Sequence, residues 1–217
     1  MKEIITQVFI ELKKFMGLTI HYKFKTETDS HMKAYKLIDK LHQVALTLPW
    51  VQVNPIRELN QTQLDNTDAT DPLFFLKISA AKILITEGEI QKISPTAFIG
   101  WTAHVAEGCE SLKIFLCRYP GSQVWEAQSF CKTQYAALQE SGGILNFLRA
   151  HTSIILLLDE VQKLGILEEV VDESHYWEHR DLKKLIEEIK AWQGLTDSVG
   201  EIFEQISRNS LFNDYNK

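Results

Sequence analysis

An antiparallel hairpin is predicted by residues 96–119, which read TAFIGWTAHVAEGCESLKIFLCRY. Glu107 and Gly108 have the composition of a two-residue turn between two strands. With the turn at that point, apolar side chains oppose each other on one face: Trp101 with Ile114, Ala103 with Leu112, and Ile99 with Leu116. The opposite face carries polar residues near the turn, and Phe98, Phe115 and Cys117 further away. Because successive side chains point to opposite faces of a strand, this pattern predicts the register.

The residues before the hairpin predict a β-α-β start. Residues 18–25 alternate between apolar and polar side chains, as in a half-buried strand. Asp29 or Ser30 is placed to cap the next helix. The inner stripe of that helix is predicted to be Ala34, Ile38, Leu41, Ala45 and Leu48. Val51 and Val53 indicate a second, short strand.

Between these elements and the hairpin, residues 54–72 are polar and lack periodicity, so a long surface loop is expected, either functional or mobile. Strands are predicted at 73–78 and 83–86, with a turn at Glu87 and Gly88.

Helical periodicity predicts the remaining elements, at residues 5–16, 124–140, 144–164, 173–193 and 197–208. The expected fold class is α+β: a mainly antiparallel sheet with early helices, followed by a helical C-terminal half. We expect one domain over 1–217, with the sheet in residues 1 to about 120 and helices from about 121 onward.

Composition narrows the class of protein. The 217 residues carry a net charge of −6, and residues 159–204 hold five basic and thirteen acidic side chains, a net −8, which disfavours nucleic acid as a partner. The three cysteines form no CxxC pair, which favours a reducing compartment. The longest apolar run, 154–158, is too short to cross a membrane. We therefore expect a soluble, cytoplasmic protein that binds neither nucleic acid nor membrane.

Residues 175–179 read HYWEH, which matches the H-x-x-E-H signature of one class of zinc hydrolase. On a helix, His175 and His179 lie one turn apart and suit a shared divalent metal, while Glu178 is placed to activate water. Asp172 and Glu173 add oxygen ligands upstream. The third ligand of that family, a downstream glutamate, has no clear counterpart here. The alternative is an ordinary surface helix with exposed ion pairs.

A second catalytic hypothesis uses Cys131, with His151 one predicted helix away. A thiolate assisted by histidine is a workable nucleophile. The alternative is a small apolar core residue, which is the usual role of a lone cysteine.

A polar pocket between the helices and the sheet is the third candidate site. Its predicted lining is Trp125, Lys132, Gln134, Tyr135, Asn146, Tyr176, Trp177 and Arg180. Two functions follow. One is a binding or interaction protein, whose partner is a protein or a small-molecule ligand. The other is a hydrolase that depends on a divalent metal at the His175–His179 helix or on Cys131. No motif in the sequence indicates a cofactor other than a divalent metal.

Overall fold

The structure, a computed structural model, describes residues 18–66, 68, 70–71, 73–86 and 89–194. The strands are β1 Thr19–Thr26, β2 Gln52–Val53, β3 Arg57–Asn60, β4 Lys82–Thr86, β5 Glu89–Ile93, β6 Ala97–His104, β7 Leu112–Arg118, β8 Trp125–Lys132 and β9 Leu167–Asp172. The helices are α1 His31–Ala45, α2 Gln61–Asp65, α3 Phe74–Ala80, α4 Gly143–Lys163, α5 Tyr176–His179 and α6, described from 182 to 194. Two 3-10 turns cover Gln134–Ala137 and Gln139–Ser141.

A seven-stranded sheet has the order β2-β6-β7-β8-β1-β9, with β3 also paired to β6, and every pairing is antiparallel. The predicted register of β6 and β7 is confirmed, because Trp101 is opposite Ile114, Ile99 opposite Leu116 and Ala103 opposite Leu112. A turn at Glu107 and Gly108 is closed by the Cys109 amide, which donates to the Ala106 carbonyl at 3.1 Å. The strands are shorter than predicted, because the ladder ends at Ala103 and Leu112.

The inner face of the sheet packs against α1 and α4. The α1 helix lies against β6 and β7, α4 lies against β9, and the two helices contact each other. Ser30 caps α1 by accepting a hydrogen bond from the Lys33 amide. The buried residues of α1 are Ala34, Ile38, Leu41 and Ala45, which confirms the predicted stripe except for Leu48, beyond the end of the helix. Burial of this stripe stabilises the inner layer.

The outer face of the sheet is buried over part of β6 and β7. There Phe98, Phe115 and Cys117 are fully buried, although the sequence places them on the polar side of the hairpin. Leu76 and Ala80 of α3 are buried in the same core, and α3 contacts β8. Further along the outer face, Gln128 and Phe130 on β8, His21 on β1, and Glu169 and Val171 on β9 are exposed.

Two predicted elements before the hairpin are wrong. Residues 54–72 are not an unstructured loop, because they contain β3 and α2, and Asn60 and Gln63 form a capping box at the start of α2. Residues 73–78 are not a strand, because α3 begins at Phe74. The predicted strand at 83–86 is confirmed as part of β4. The predicted turn at residues 87–88 lies outside the described residues.

The α+β class is confirmed, but the helical C-terminal half is not. The predicted helix at 124–140 is wrong, because 125–132 is β8, a central strand. The helix at 144–164 is confirmed as α4, without a break. The predicted helix at 173–193 is wrong at its start, because β9 precedes it and left-handed residues at His175 and Arg180 isolate α5 from α6. Predicted helices at 5–16 and 197–208 lie outside the described residues.

Strands β4 and β5 form a separate two-stranded sheet between α3 and β6. Four of the five β5 residues are exposed. A two-stranded hairpin is only marginally stable by itself. We call residues 82–93 the arm.

Candidate functional site

A groove lies on the outer face, where the part covered by α3 meets the open part. One wall comes from the end of α3 and the start of β4, and the floor comes from β8. Its volume is about 450 Å³. Its lining residues are His21, Ser79, Ala81, Lys82, Ile83, Tyr119, Glu126, Ala127, Gln128, Ser129 and Phe130. We call it the Lys82–Phe130 groove.

The wall is held in place around Lys82. The Lys82 ammonium donates to the Glu126 carboxylate at 2.5 Å and lies 4.1 Å from the centre of the Tyr119 ring. The Tyr119 hydroxyl donates to the Ala80 carbonyl at 2.8 Å, which ties the end of α3 to the end of β7. Burial raises the pKa of Tyr119, and the neighbouring Cys117 and Glu126 raise it further. The Tyr119 hydroxyl therefore keeps its proton and remains a hydrogen-bond donor.

The opposite end of the groove is aromatic. Phe130 is 40% exposed, and its ring centre lies 5.7 Å from that of His21, its cross-strand neighbour. The Lys113 ammonium lies 5.7 Å from the centre of the same ring. Between the two ends, the exposed Gln128 side chain makes no hydrogen bond with any residue that the structure describes. The groove thus offers a free amide between an ion pair and an aromatic ring.

A second cluster of chemically interesting side chains is fully enclosed by the fold. It consists of Thr133 after β8, His151 on α4, and Asp172 and Ser174 around the end of β9, all buried. We call it the His151 network. His151 Nδ1 lies 2.9 Å from Thr133 Oγ1, and His151 Nε2 lies 3.2 Å from Asp172 Oδ2. The network therefore joins the ends of two strands to the central helix of the inner layer.

Asp172 is surrounded by donors. Its Oδ1 accepts from the Ser174 amide and hydroxyl, at 2.9 and 2.8 Å. Its Oδ2 accepts from the Trp177 amide at 2.9 Å as well as from His151. Burial acts to raise the pKa of Asp172, but the hydrogen bond and charge of His151 and the bonds from Ser174 outweigh it, leaving a pKa of about 2. Asp172 is therefore ionised in the folded protein at neutral pH.

The His151 network has the residue types of a hydrolase triad, but its serine is not placed as in a triad. In a triad the serine and the carboxylate contact opposite nitrogens of the imidazole. Here Ser174 Oγ, at 3.0 Å, and Asp172 approach the same nitrogen, Nε2. Thr133 and Asp172 do contact opposite nitrogens, but the Thr133 hydroxyl donates to the Leu18 carbonyl at 3.1 Å. Thr133, His151, Asp172 and Ser174 are also all shielded from solvent. The arrangement suits the joining of buried elements rather than attack on a substrate.

The predicted metal ligands are not brought together. His175 adopts a left-handed conformation with φ 58° at the start of the one-turn α5, and its ring centre lies 6.4 Å from that of His179. Asp172 points into the His151 network, and Glu173 accepts from the Thr19 amide at 2.8 Å. Within the described parts of the chain, no three His, Cys, Asp or Glu side chains are grouped so that they could hold a metal ion.

The predicted nucleophile and the predicted histidine each have other partners. Cys131 is on the inner face of β8 with no exposed surface, and its Sγ lies 3.2 Å from the Glu110 carbonyl oxygen. Burial, with a smaller contribution from Cys109, raises the pKa of Cys131 well above its ordinary value, which opposes thiolate formation. His151 is engaged by Thr133 and Asp172, and Glu178 is exposed on α5.

The eight residues predicted to line a polar pocket are dispersed, and none of them lines the Lys82–Phe130 groove. Trp125 is buried on the inner face at one end of β8, whereas Lys132 is at the other end on the outer face. Trp177 and Arg180 contact each other, and Arg180 also pairs with Asp159. The other four have different partners: Gln134 is buried, Tyr135 packs on Trp192, Asn146 donates to the Ser141 carbonyl, and Tyr176 packs on His151.

The residues that line the groove were missed by the sequence analysis, although one signal for them exists. Residues 125–132 read WEAQSFCK, in which Glu126, Gln128 and Phe130 occupy every second position, so a strand there places them on one face. Lys82 carries no such signal, because its contact with Glu126 joins residues 44 positions apart.

No protein family, curated protein or solved structure matches this chain. Among the described residues, no helix has the length and apolar character needed to cross a membrane. The geometry of the groove is therefore the starting point for a function.

Proposed function

We propose that this protein is a binding module whose ligand occupies the Lys82–Phe130 groove. The observation that carries the proposal is the groove of about 450 Å³, in which an unpaired side-chain amide lies between an ion pair and an exposed aromatic ring. Small-molecule sites commonly have volumes of roughly 300–1,000 Å³ and combine apolar surface with a few polar groups.

The charges of the groove favour a ligand without net charge. Lys82 is neutralised by Glu126 at 2.5 Å, and His21 lies 3.8 Å from the Glu173 carboxylate outside the groove. A charged ligand would have to compete with these contacts or lose its own hydration without compensation. A neutral molecule can instead pair with Gln128, which offers both an amide donor and a carbonyl acceptor.

The apolar part of the ligand is expected at Phe130 and Ile83. Phe130 on the floor of the groove is 40% exposed, and Ile83 on its wall is 67% exposed. An aromatic or aliphatic group placed between them removes apolar surface from water on both sides. The ligand class that follows is a neutral molecule with one apolar group and adjacent amide-like hydrogen-bonding groups, such as a short uncharged peptide segment.

The first test is a titration of the ¹⁵N-labelled full chain with N-acetyl-tryptophanamide, a neutral probe with one aromatic ring and two amides. The proposal expects saturable shifts of the backbone amides of Lys82, Gln128 and Phe130. Absence of saturable shifts, or shifts confined to another part of the surface, would overturn it.

A matched pair of variants makes the test specific. Gln128→Ala removes the free amide and should weaken probe binding about two- to tenfold, the range expected for one lost hydrogen bond. Gln43→Ala makes the same chemical change on an exposed position of α1 and should leave binding unchanged. Equal effects of the two changes would contradict the assignment of the groove.

A further inference from the structure

A second cavity lies at the edge of the large sheet, beside the segment that joins β2 to β3. Its volume is about 190 Å³. Its lining residues are Asn54, Pro55, Arg57, Leu73, Leu76, Trp101 and Thr102, none of which lines the Lys82–Phe130 groove. We call it the Arg57 cavity.

The cavity forms at a bulge in the edge of the sheet. Val53 at the end of β2 is opposite Ala103, and Arg57 at the start of β3 is opposite Gly100. Three residues of the edge therefore face only two residues of β6. Pro55, in the middle of the three, has no amide hydrogen with which to continue the ladder. A bulge of this kind bends the edge strand, and the cavity lies at the bend.

Asn54 holds the bulge in place. Its backbone amide donates to the Thr102 carbonyl at 2.9 Å, and its side-chain oxygen accepts from the Gln52 side chain at 2.8 Å. His42 Nε2 on α1 lies 3.0 Å from the Asn54 carbonyl oxygen. These contacts fix one wall of the cavity before a ligand arrives, so less conformational entropy is lost on binding.

Two hydrogen-bond donors of the cavity lie on the outer face of the sheet and are unused. Arg57 is opposite Gly100, and Thr102 lies two residues along β6 from Gly100, so the two side chains point to the same side. The exposed Arg57 guanidinium makes no ion pair or hydrogen bond with any described residue. The Thr102 hydroxyl accepts from the Asn54 side-chain amide at 2.9 Å but donates to no described residue.

The composition of the lining favours a small anion with an apolar group. Among the described residues that line the cavity, Arg57 is the only charged one. A guanidinium binds a carboxylate through two parallel hydrogen bonds. Pro55, Leu73 and Leu76 supply apolar surface. A cavity of roughly 150 Å³ accommodates a benzene molecule, so the volume found here suits one ring or one short chain beside a carboxylate.

Trp101 provides a probe at the same place. It borders the cavity, and its indole nitrogen is buried without a hydrogen-bond partner among the described residues. A buried donor without an acceptor is rare in proteins, and a bound molecule is one way to satisfy it. The resonance of the indole N–H therefore reports on an acceptor that enters the cavity.

We propose that the Arg57 cavity binds a small monocarboxylate. The carboxylate is held by the Arg57 guanidinium and the Thr102 hydroxyl, and the apolar group lies against Leu73 and Leu76. This site is separate from the Lys82–Phe130 groove, and the proposal does not depend on a ligand there.

The test compares benzoate with benzamide, which has the same ring but no charge, in titrations of the ¹⁵N-labelled full chain. Benzoate should give saturable shifts of the Arg57 and Thr102 backbone amides and of the Trp101 indole N–H. It should bind about tenfold or more tightly than benzamide, because a hydrogen bond to a charged group is stronger than a neutral one. Equal affinities, absence of saturable shifts, or shifts confined to another part of the surface would overturn the proposal.

A matched pair of variants tests the role of the guanidinium. Arg57→Ala should weaken benzoate binding about ten- to a hundredfold. Arg149→Ala removes the same charge from an exposed position of α4 and should bind benzoate as wild type does. Equal losses in the two variants would mean that benzoate responds only to net charge, and would refute the site. Unchanged benzoate binding by Arg57→Ala, with an unchanged circular dichroism spectrum, would refute it as well.

Discussion

Replacing Asp172 by Asn tests whether the His151 network holds the fold together through a buried charge. Asn preserves the size of the side chain and keeps one acceptor oxygen, but its NH2 group replaces the other. If that group takes the place of Oδ2, it faces the Trp177 amide and His151 Nε2, which both approach Oδ2 as donors. Leaving the Trp177 amide without its acceptor costs about 1–3 kcal/mol, and we expect a loss of at least that size here.

The matched control is Asp159→Asn, which breaks an ion pair at the surface. Asp159 is 27% exposed and binds Arg180 through two contacts of 3.0 and 2.7 Å, so its geometry is at least as good as that of the buried pair. Solvent screens this pair, and exposed pairs contribute about 0–1 kcal/mol. The assay is urea unfolding at neutral pH, followed by tryptophan fluorescence and circular dichroism, for wild type and both variants.

The dependence on pH provides a second, independent check. The pKa of Asp172 is lowered from 3.8 to about 2 in the folded protein, so the unfolded chain takes up the proton first. The stability that the ionised form contributes, about 2 kcal/mol, is therefore complete above pH 4 or so and is lost as the pH falls toward about 2. Over that interval the difference in unfolding free energy between wild type and Asp172→Asn should shrink. A loss for Asp172→Asn no greater than for Asp159→Asn, or a difference that is independent of pH, would refute the reasoning.

Two further predictions concern the turn of the hairpin and the buried thiol. Gly108 has φ 79°, and an added Cβ would lie 2.4 Å from the Tyr135 carbonyl oxygen, whereas Gly121 has φ 73° and open space around it. In urea unfolding, Gly121→Ala should lower the free energy of unfolding by about 1–2 kcal/mol because of its backbone conformation alone. Gly108→Ala should lower it by clearly more, because the added Cβ also meets the Tyr135 carbonyl. Equal losses for the two variants would mean that this contact is relieved by movement of the chain. In native-state alkylation followed by mass spectrometry, the half-buried Cys109 should react before the fully buried Cys131. Modification of Cys131 at the rate of a free thiol would restore its candidacy as a nucleophile.

The elements that the sequence predicted correctly are those whose signals are local and agree with one another. In α1 a capping serine, Ser30, precedes a stripe with helical spacing, and the structure buries four residues of that stripe. In the β6–β7 hairpin, alternation and the position of Gly108 specify the same register. Each of these signals is carried by residues less than about 20 positions apart, so tertiary contacts did not override them.

The wrong predictions concern short segments whose apolar residues fit both the 3.6-residue period of a helix and the two-residue period of a strand. Residues 73–78 are apolar enough for a strand, but burial of Leu76 and Ala80, four positions apart, shows the helical period of α3. Residues 125–132 were assigned to a helix although Trp125, Ala127, Ser129 and Cys131 are buried in strict alternation. In β8 two of those inward side chains are small and polar or weakly polar, so the alternation was less evident than in β7.

The groove lies at the border between the covered and the exposed parts of the outer face, and no single segment of the sequence shows where that border is. Once the order of the strands is known, however, the chemistry of the outer face changes along the sheet. It is apolar on the part of β6 and β7 far from their turn, where Phe98 and Phe115 lie, and mostly polar on β8 and β1, where Gln128 and Lys23 lie opposite each other. Apolar outer residues require a cover and polar ones do not, so the change of polarity predicts the edge of α3 and the arm. A cleft is expected at that edge, because α3 and the arm end there while the sheet beneath them continues. The missing information was therefore the order of the strands, which depends on pairings between residues more than 100 positions apart, such as Ile20 with Cys131.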